Sequence, residues 1–408
     1  MKKLSLLVFC AAVVLASCDK PAPENTYQPI DISTKAAGYV KQGNKFALEY
    51  LYRVNDATKT DYIVSPLSMQ FLLGMILDGA RGETADEICS VLGYGAGETA
   101  EVNQFCLNML QQLPDLDKLT SIKLANAIVL DKGYQLKEQY KKDMAHYYEA
   151  EVSNLDFTDV AGSTQKINKW CSDHTNGLIP KVLDEVDPSM LAYLMNALYF
   201  KSQWEEKFEK ADTSDEPFVN EAGVESKVKM MKTRKEFRYT KADAYQAVNL
   251  PYGNGAFSMT VLLPAAGKTV SDVIASLKNL DDWQSLAGDM IKSDVDLWLP
   301  RFETKFHIDL NDILIGMGMP SAFSAQGHSA DLTGISDAAA HLSFVMQDAI
   351  IKVDEEGTEA AAVSMAGVEK NAAMPGEKVV FHADKPFLYI ISEKSTGAIL
   401  FAGRFGAL

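Results

Sequence analysis

The first clear amphipathic pattern is Asn44-Lys45-Phe46-Ala47-Leu48-Glu49-Tyr50-Leu51, where apolar residues fall at helical spacing. Ile63-Val64 predicts a short strand. Ser65-Pro66-Leu67-Ser68 then starts a helix: Ser65 offers a cap oxygen, and Pro66 suits a first turn that needs no N–H. From Met69 to Leu77 apolar residues run almost all round, so this helix belongs at the centre of the molecule. Gly79-Ala80-Arg81-Gly82 ends it, and Thr84 precedes a short helix to Leu92. Leu124 to Leu130 alternates with small residues, as a strand does. Tyr134–Tyr148 and Thr164–His174 predict two helices. The second carries Ile167, Trp170 and Cys171 on one face and stops at Asn176-Gly177.

Beyond this point strand patterns dominate. Met190–Phe200 is a long apolar run with few charges, which predicts a strand buried on both faces. Phe218–Tyr239 predicts hairpin strands. Ala247–Tyr252 and Ser258–Leu263 form another pair across Gly253-Asn254-Gly255. Val270–Leu280 and Leu310–Met317 are helical, and Val295–Phe302 is one strand. Ser343–Met346 leads into a strand ending at Ile350-Ile351-Lys352-Val353. Val379-Val380-Phe381, Phe387–Ile391 and Ile399–Phe405 are the last strands. With no repeat and no second linker, the pattern predicts one mixed α+β domain with large sheets.

One stretch among these strands lacks any pattern. Glu355 to Pro375 holds small side chains, two Met as its only large apolar residues, and Lys370 as its one basic residue before Met374. Structureless loops beyond about 12–15 residues are uncommon, and are either functional or disordered. Composition alone leaves both readings open: a disordered Ala/Glu loop, or a bait for another protein.

The bulk composition is ordinary for a globular chain of 408 residues, 47% hydrophobic and 23% charged. The net charge of −16 changes the picture more. It argues against nucleic acid, heparin-like polyanions or an anionic membrane face as the main partner. At the N-terminus, Lys2 and Lys3 precede an apolar run from Leu4 to Ala16, too short to span a bilayer. Leu15-Ala16-Ser17-Cys18 resembles a bacterial lipobox, so residues 1–17 are expected to be a signal peptide and Cys18 the lipidated first residue. Residues 18–35, rich in Pro and polar side chains at their start, are expected to be a tether to a single domain over 36–408. Cys89, Cys106 and Cys171 have no metal or redox spacing and are expected to be buried thiols.

Enzyme chemistry finds little support. His-Glu-x-x-His, a Walker loop and Gly-x-Ser-x-Gly are all missing from the sequence. The six His are scattered, and Gly93-Tyr94-Gly95-Ala96-Gly97 is a Gly-rich turn after a short helix. No metal site and no cofactor are expected, and the chain is not expected to be an enzyme.

From about residue 36 to its end the chain resembles the serpins, through dispersed markers in the family's order. Early markers are Asn44-x-Phe46-Ala47, Ser65-Pro66-x-Ser68 and Gly79-Ala80-Arg81-Gly82-x-Thr84. Leu124-Ala125-Asn126-Ala127, Ile167-Asn168-Lys169-Trp170 and Thr175-Asn176-Gly177-x-Ile179-Pro180 come next. Asn196-Ala197-Leu198-Tyr199-Phe200-Lys201-x-x-Trp204, Leu250-Pro251-Tyr252, Leu299-Pro300-Arg301-Phe302 and Leu332-x-Gly334-Ile335-Ser336 follow. The last are Asp354 to Ala362, Pro386-Phe387-Leu388 and Phe401-x-Gly403-Arg404. The resemblance implies three β-sheets, about nine helices, a five-stranded central sheet, and an exposed reactive loop at about 355–380. It also implies a metastable state: a protease attacks the loop as substrate, and the cut loop enters the central sheet and traps the acyl-enzyme.

The hinge composition fits that action. Glu355 and Gly357 lead into Thr358, Ala360, Ala361 and Ala362, small residues that enter a sheet without burying unpaired charge. Alternation puts Glu359 on the outer face. Family spacing, with Glu355 seventeenth before the cut, puts the bait bond at Asn371–Ala372, with Lys370 one residue away. Lys370 as the residue read implies trypsin-like targets and Asn371 proteases of loose or unusual specificity, while Met365, Val368 or Met374 would serve elastase- or subtilisin-like enzymes at shifted bonds. Ser65, Ser68 and Asn196 match the polar cluster where the central strands part. Gln347 stands where relatives commonly have His, so the cluster lacks a titrating group. Trp204 matches the aromatic where insertion begins. The expectation is a monomeric, lipid-anchored inhibitor of serine proteases, with cysteine proteases a second class, held in the cell envelope outside the cytoplasm. The alternative is a non-inhibitory serpin that binds or stores.

Overall fold

The structure, a computed structural model, describes residues 25–278, 283–358 and 378–407. Ser33 caps α1 (Thr34–Ala57), its hydroxyl accepting from Ala36 N. β1 (Tyr62–Val64) leads to α2 (Pro66–Gly79), capped by Ser65 and buried at every residue except Asp78. α3 (Gly82–Leu92), α4 (Thr99–Gln112), β2 (Thr120–Asp131), α5 (Glu138–Tyr147), β3 (Glu151–Leu155) and α6 (Val160–His174) complete the helical half. The strand-rich half begins with β4 (Ala192–Gln203), β5 (Ser214–Val219), β6 (Glu225–Lys241), β7 (Tyr245–Tyr252) and β8 (Phe257–Pro264). α7 (Val270–Lys278) and α8 (Trp283–Asp289) interrupt it before β9 (Ile291–Pro300) and β10 (Phe302–Asp309). The chain closes with α9 (Asn311–Met317), β11 (Met346–Val353), β12 (Gly357–Thr358), β13 (Val379–His382), β14 (Phe387–Glu393) and β15 (Ile399–Phe405). Nine α-helices are thus seen among the described residues.

The central sheet runs β10-β11-β12-β4-β2-β3: five long strands with the two-residue β12 wedged between β11 and β4. The implied three sheets form two hydrogen-bonded networks here. β6, at 17 residues, pairs with β5 and β9 along most of its length and with β7 at its far end. That continuous strand fuses the other two sheets into one of nine strands.

Several elements differ from the sequence reading. Val295–Phe302 is not one strand. Pro300, which has no N–H to extend a ladder, ends β9, and the chain crosses at Arg301 into β10 of the central sheet. The helix expected from Tyr134 starts at Glu138, because Tyr134 N closes a turn on Asp131 O. Thr84 lies inside α3 rather than before it. The Met190–Phe200 run is strand β4, but Leu194, Asn196 and Leu198 are only half-buried, since among the described residues β12 pairs with that edge of β4 only at Gln203 and Ser202. The expected tether ends earlier than residue 35. Asn25 donates to Asp117 at 2.7 Å, and Asp31 N donates to Gln112 at 2.8 Å. Ile30 is buried, so residues 25–33 lie docked against the body. Cys89, Cys106 and Cys171 are buried free thiols, and burial pushes those of Cys106 and Cys171 up to about 12.

Candidate functional site

The site lies where β11 turns into β12. Val353 pairs with Thr358 across this turn, and on its other side β12 pairs antiparallel with β4, Gly357 with Gln203 and Thr358 with Ser202. Gly357 has φ +154°, and a Cβ there would lie 2.1 Å from the Ser202 carbonyl oxygen. Only glycine fits so close to β4. Thr358 is buried, and its hydroxyl shares a 2.6 Å hydrogen bond with the Tyr252 hydroxyl. Trp204 stacks on Tyr252 with ring centroids 4.4 Å apart, donates its indole N–H to Asp354 O, and donates its backbone N–H to Glu356 O.

The two acids of the turn are bolted down. The buried Glu355 carboxylate accepts from Arg301 at 2.6 Å on both oxygens and from Thr213 at 2.7 Å. Burial alone would push this carboxyl up, but Arg301 and Thr213 hold it below its usual range. Lys207, and then Lys210, lower the carboxyl of Glu356, at 2.7 and 3.2 Å.

Below β12 no ladder joins β4 to β11. A cavity of about 100 Å³ lies between them, lined by Met69, Leu72, Ile167, Cys171, Met195 and Phe344. A strand added to a sheet widens it by about 4.8 Å. Entry of a further strand therefore requires β4, with β2 and β3, to move away from β11.

The polar cluster expected at this level has two arms, one on each side of the gap. On the β11 side, Gln347 donates to Ser65 O at 2.9 Å and accepts from Ser65 N at 2.9 Å and Tyr50 OH at 3.1 Å. On the β4 side, Ser68 donates to Asn196, which donates to Asn126 at 2.7 Å, which donates to Tyr148 O at 2.6 Å. Ser65 Oγ, donating to Leu400 O at 2.8 Å, ties the helix start to β15. Gln347 and Asn196 are not bonded to each other; α2 spans them through Ser65 and Ser68.

The structure thus brings together Glu355, Gly357, Thr358 and Trp204 at one end of the gap, and Ser65, Ser68, Asn196 and Gln347 at its middle. Ala360, Ala361, Ala362, Met365, Val368, Lys370, Asn371, Ala372, Met374 and the lipidation residue Cys18 lie outside the described residues. Sequence reasoning missed Tyr252, Arg301, Lys207, Tyr50 and Asn126 as members of the site. Tyr252, Arg301 and Asn126 stand inside quoted motifs, which was the available signal. Lys207 and Tyr50 carry none. Glu83, Glu87 and His328 bring three donor atoms within 4.8 Å of one another. Glu83 pairs with His328 and Glu87 accepts from Ser321, so existing bonds account for this group.

Comparisons agree on one family. The model described as "Serpin (serine protease inhibitor)" matches residues 41–407. The leukocyte elastase inhibitor of Xenopus laevis is 32% identical, over 89% of this chain and 97% of its own length. Among solved structures, the native state of the thermophilic serpin tengpin aligns with a TM-score of 0.82 at 26% identity, covering 94% of this chain and 97% of its own. Human thyroxine-binding globulin in complex with its hormone aligns at 0.80 and 25% identity, covering 90% and 98%.

Proposed function

Because the chain belongs to the serpin family, whose members are mostly protease inhibitors rather than enzymes, we propose that it is an irreversible suicide-substrate inhibitor of extracytoplasmic serine proteases. The bait is the segment around Lys370, Asn371 and Ala372. The protease opens this segment, and the acyl-enzyme is trapped when the freed strand enters between β4 and β11.

The observation that carries this reading is β12, already paired on both sides at the mouth of the gap. Its register can be continued on both flanks. On the inner face Ala360 would lie between Phe200 and Ile351, and Ala362 between Leu198 and Ala349. Ser364 would then reach the polar cluster, between Asn196 and Gln347. Small residues meet the large apolar neighbours, and a hydroxyl meets the amides, so insertion buries no unmatched polar group on this face. By the same count Val368 reaches Ala192, the first residue of β4. Lys370 and Asn371 would pass the far end of the sheet, carrying the bound protease from one pole to the other.

Lys370 points to trypsin-like targets. The lipobox at Cys18 supports an anchored form in the cell envelope, to be tested by fatty-acid labelling of the wild type and of Cys18→Ser. Incubation with trypsin-like and elastase-like proteases tests the inhibitor reading. A complex that survives SDS is expected with at least one of them. Clean cleavage by both would return the chain to the non-inhibitory reading, a serpin that binds or stores.

A further inference from the structure

The first rung beyond the observed pairing is occupied by two lysines. Thr358 pairs with Ser202 on one side and Val353 on the other. The next position along β4 is Lys201 and the next along β11 is Lys352. Both belong to the outer set of their strands, since Ser202 and Val353 are buried toward the core and side chains alternate. Both are half-exposed. Lys352 reaches Glu303 at 3.5 Å, an acid that Lys305 already holds at 3.1 Å. Lys201 has no ion pair among the described residues.

This arrangement is unfavourable for a closed sheet. β4 and β11 both run antiparallel to β12 and so parallel to each other; closed in the register that β12 sets, they would bring Lys201 and Lys352 side by side on the outer face. Like charges directly opposite are destabilising, and opposite charges there are stabilising. The residue that continues β12 by one position is Glu359. It is the one charged residue between Thr358 and Val368, in a chain whose net charge is −16.

We propose that Lys201 and Lys352 are positioning residues for insertion: a paired cationic receptor on the outer face of the central sheet that takes the Glu359 carboxylate of the entering strand. The occupant is this chain's own segment after Thr358. The proposal rests on the inhibitor reading and adds to it a device specific to this rung. The pair props the gap open where entry begins and fixes the register of the first inserted residue. A slip by one residue would turn Glu359 inward, toward Tyr252 and Phe200.

The test compares the wild type with Lys201→Glu, Lys352→Glu, the double charge reversal, Glu359→Lys, and the swap Lys201→Glu with Glu359→Lys. Lys227→Glu, on β6 of the other sheet, is the control. The readout is the ratio of cleaved chain to SDS-stable complex, with thermal unfolding of each intact variant checking that it folds. Each single reversal is expected to raise the ratio by about threefold to tenfold. The double reversal should raise it further, the swap should return it toward the wild type, and Lys227→Glu should leave it unchanged. Ratios within twofold of the wild type for the reversals, or a swap no better than its parents, would overturn the receptor. A wild type that gives no complex with any protease would overturn the inhibitor reading, and the receptor with it.

Discussion

Thr358 and Tyr252 share a 2.6 Å hydrogen bond between two buried hydroxyls, beneath the ring of Trp204. This contact holds the first residues of the hinge in the sheet before any cut is made. Tyr252→Phe keeps the stack on Trp204 and removes the partner of the Thr358 hydroxyl. A buried hydroxyl left unpaired costs about 1–2 kcal/mol. Hydrogen exchange at 357–358 is therefore expected to speed up by about 5- to 30-fold, with the core of β14 unchanged.

Thr358→Arg acts on the same pocket from the other side. A guanidinium cannot occupy a site closed by Tyr252 and Ser202 without burying unpaired charge. The variant is expected to fold with β12 expelled, to be cleaved by the target protease, and to give no SDS-stable complex. Inhibition equal to the wild type would count against insertion through this mouth.

Glu355 makes the hinge anchor sensitive to acid. Although burial pushes its carboxyl up, Arg301 and Thr213 hold it below the usual carboxylate range in the folded chain. A group lowered on folding stabilises the fold above its unfolded value, and that contribution is lost as pH falls through the lower, folded value. The anchor should thus be fully formed at neutral pH and loosen only below about pH 4.5. Arg301→Ala leaves Glu355 buried without its main partner. Since Arg301 itself is half in solvent, the expected cost is about 2 kcal/mol, read by chemical denaturation at pH 7 and shrinking toward pH 3.

Gln347 predicts no pH dependence for the middle of the gap. It satisfies Ser65 N, Ser65 O and Tyr50 OH, all buried. Gln347→Ala should cost about 2–4 kcal/mol, and the cost should stay constant from about pH 5 to 8, because no member of this arm titrates there. Gln347→His should introduce a pH slope within that window, visible in thermal unfolding at closely spaced pH values.

Much of this site was legible in the sequence, and the reasons differ by residue. Ser65 and Pro66 are local signals for a helix start, and α2 begins there. Gly357, Thr358 and Trp204 were found through motif order, and the structure adds why each is needed: a Cβ clash at Gly357, a hydroxyl pair at Thr358, an indole bond at Trp204. Arg301 reads as part of one strand because apolar residues alternate through β9 as far as Phe302, and no Gly or Asn marks a turn between β9 and β10. Only the pairing partners show that the chain changes sheets there. Lys207 and Tyr50 could not be found, since a lone lysine or a helical tyrosine gains its role solely from a partner about 150 or 300 positions away. The fused nine-stranded network was equally hidden, because one long strand and two short ones have the same period.

The central claim is that the segment after Thr358 becomes a strand between β4 and β11. Thermal unfolding of the chain before and after a single cut within 365–375 tests it most directly. A new strand adds ten or more ladder hydrogen bonds at about 1 kcal/mol each, so the cut chain should unfold at least about 10 °C higher than the intact one. A cut chain that unfolds at the same temperature or lower would contradict the account.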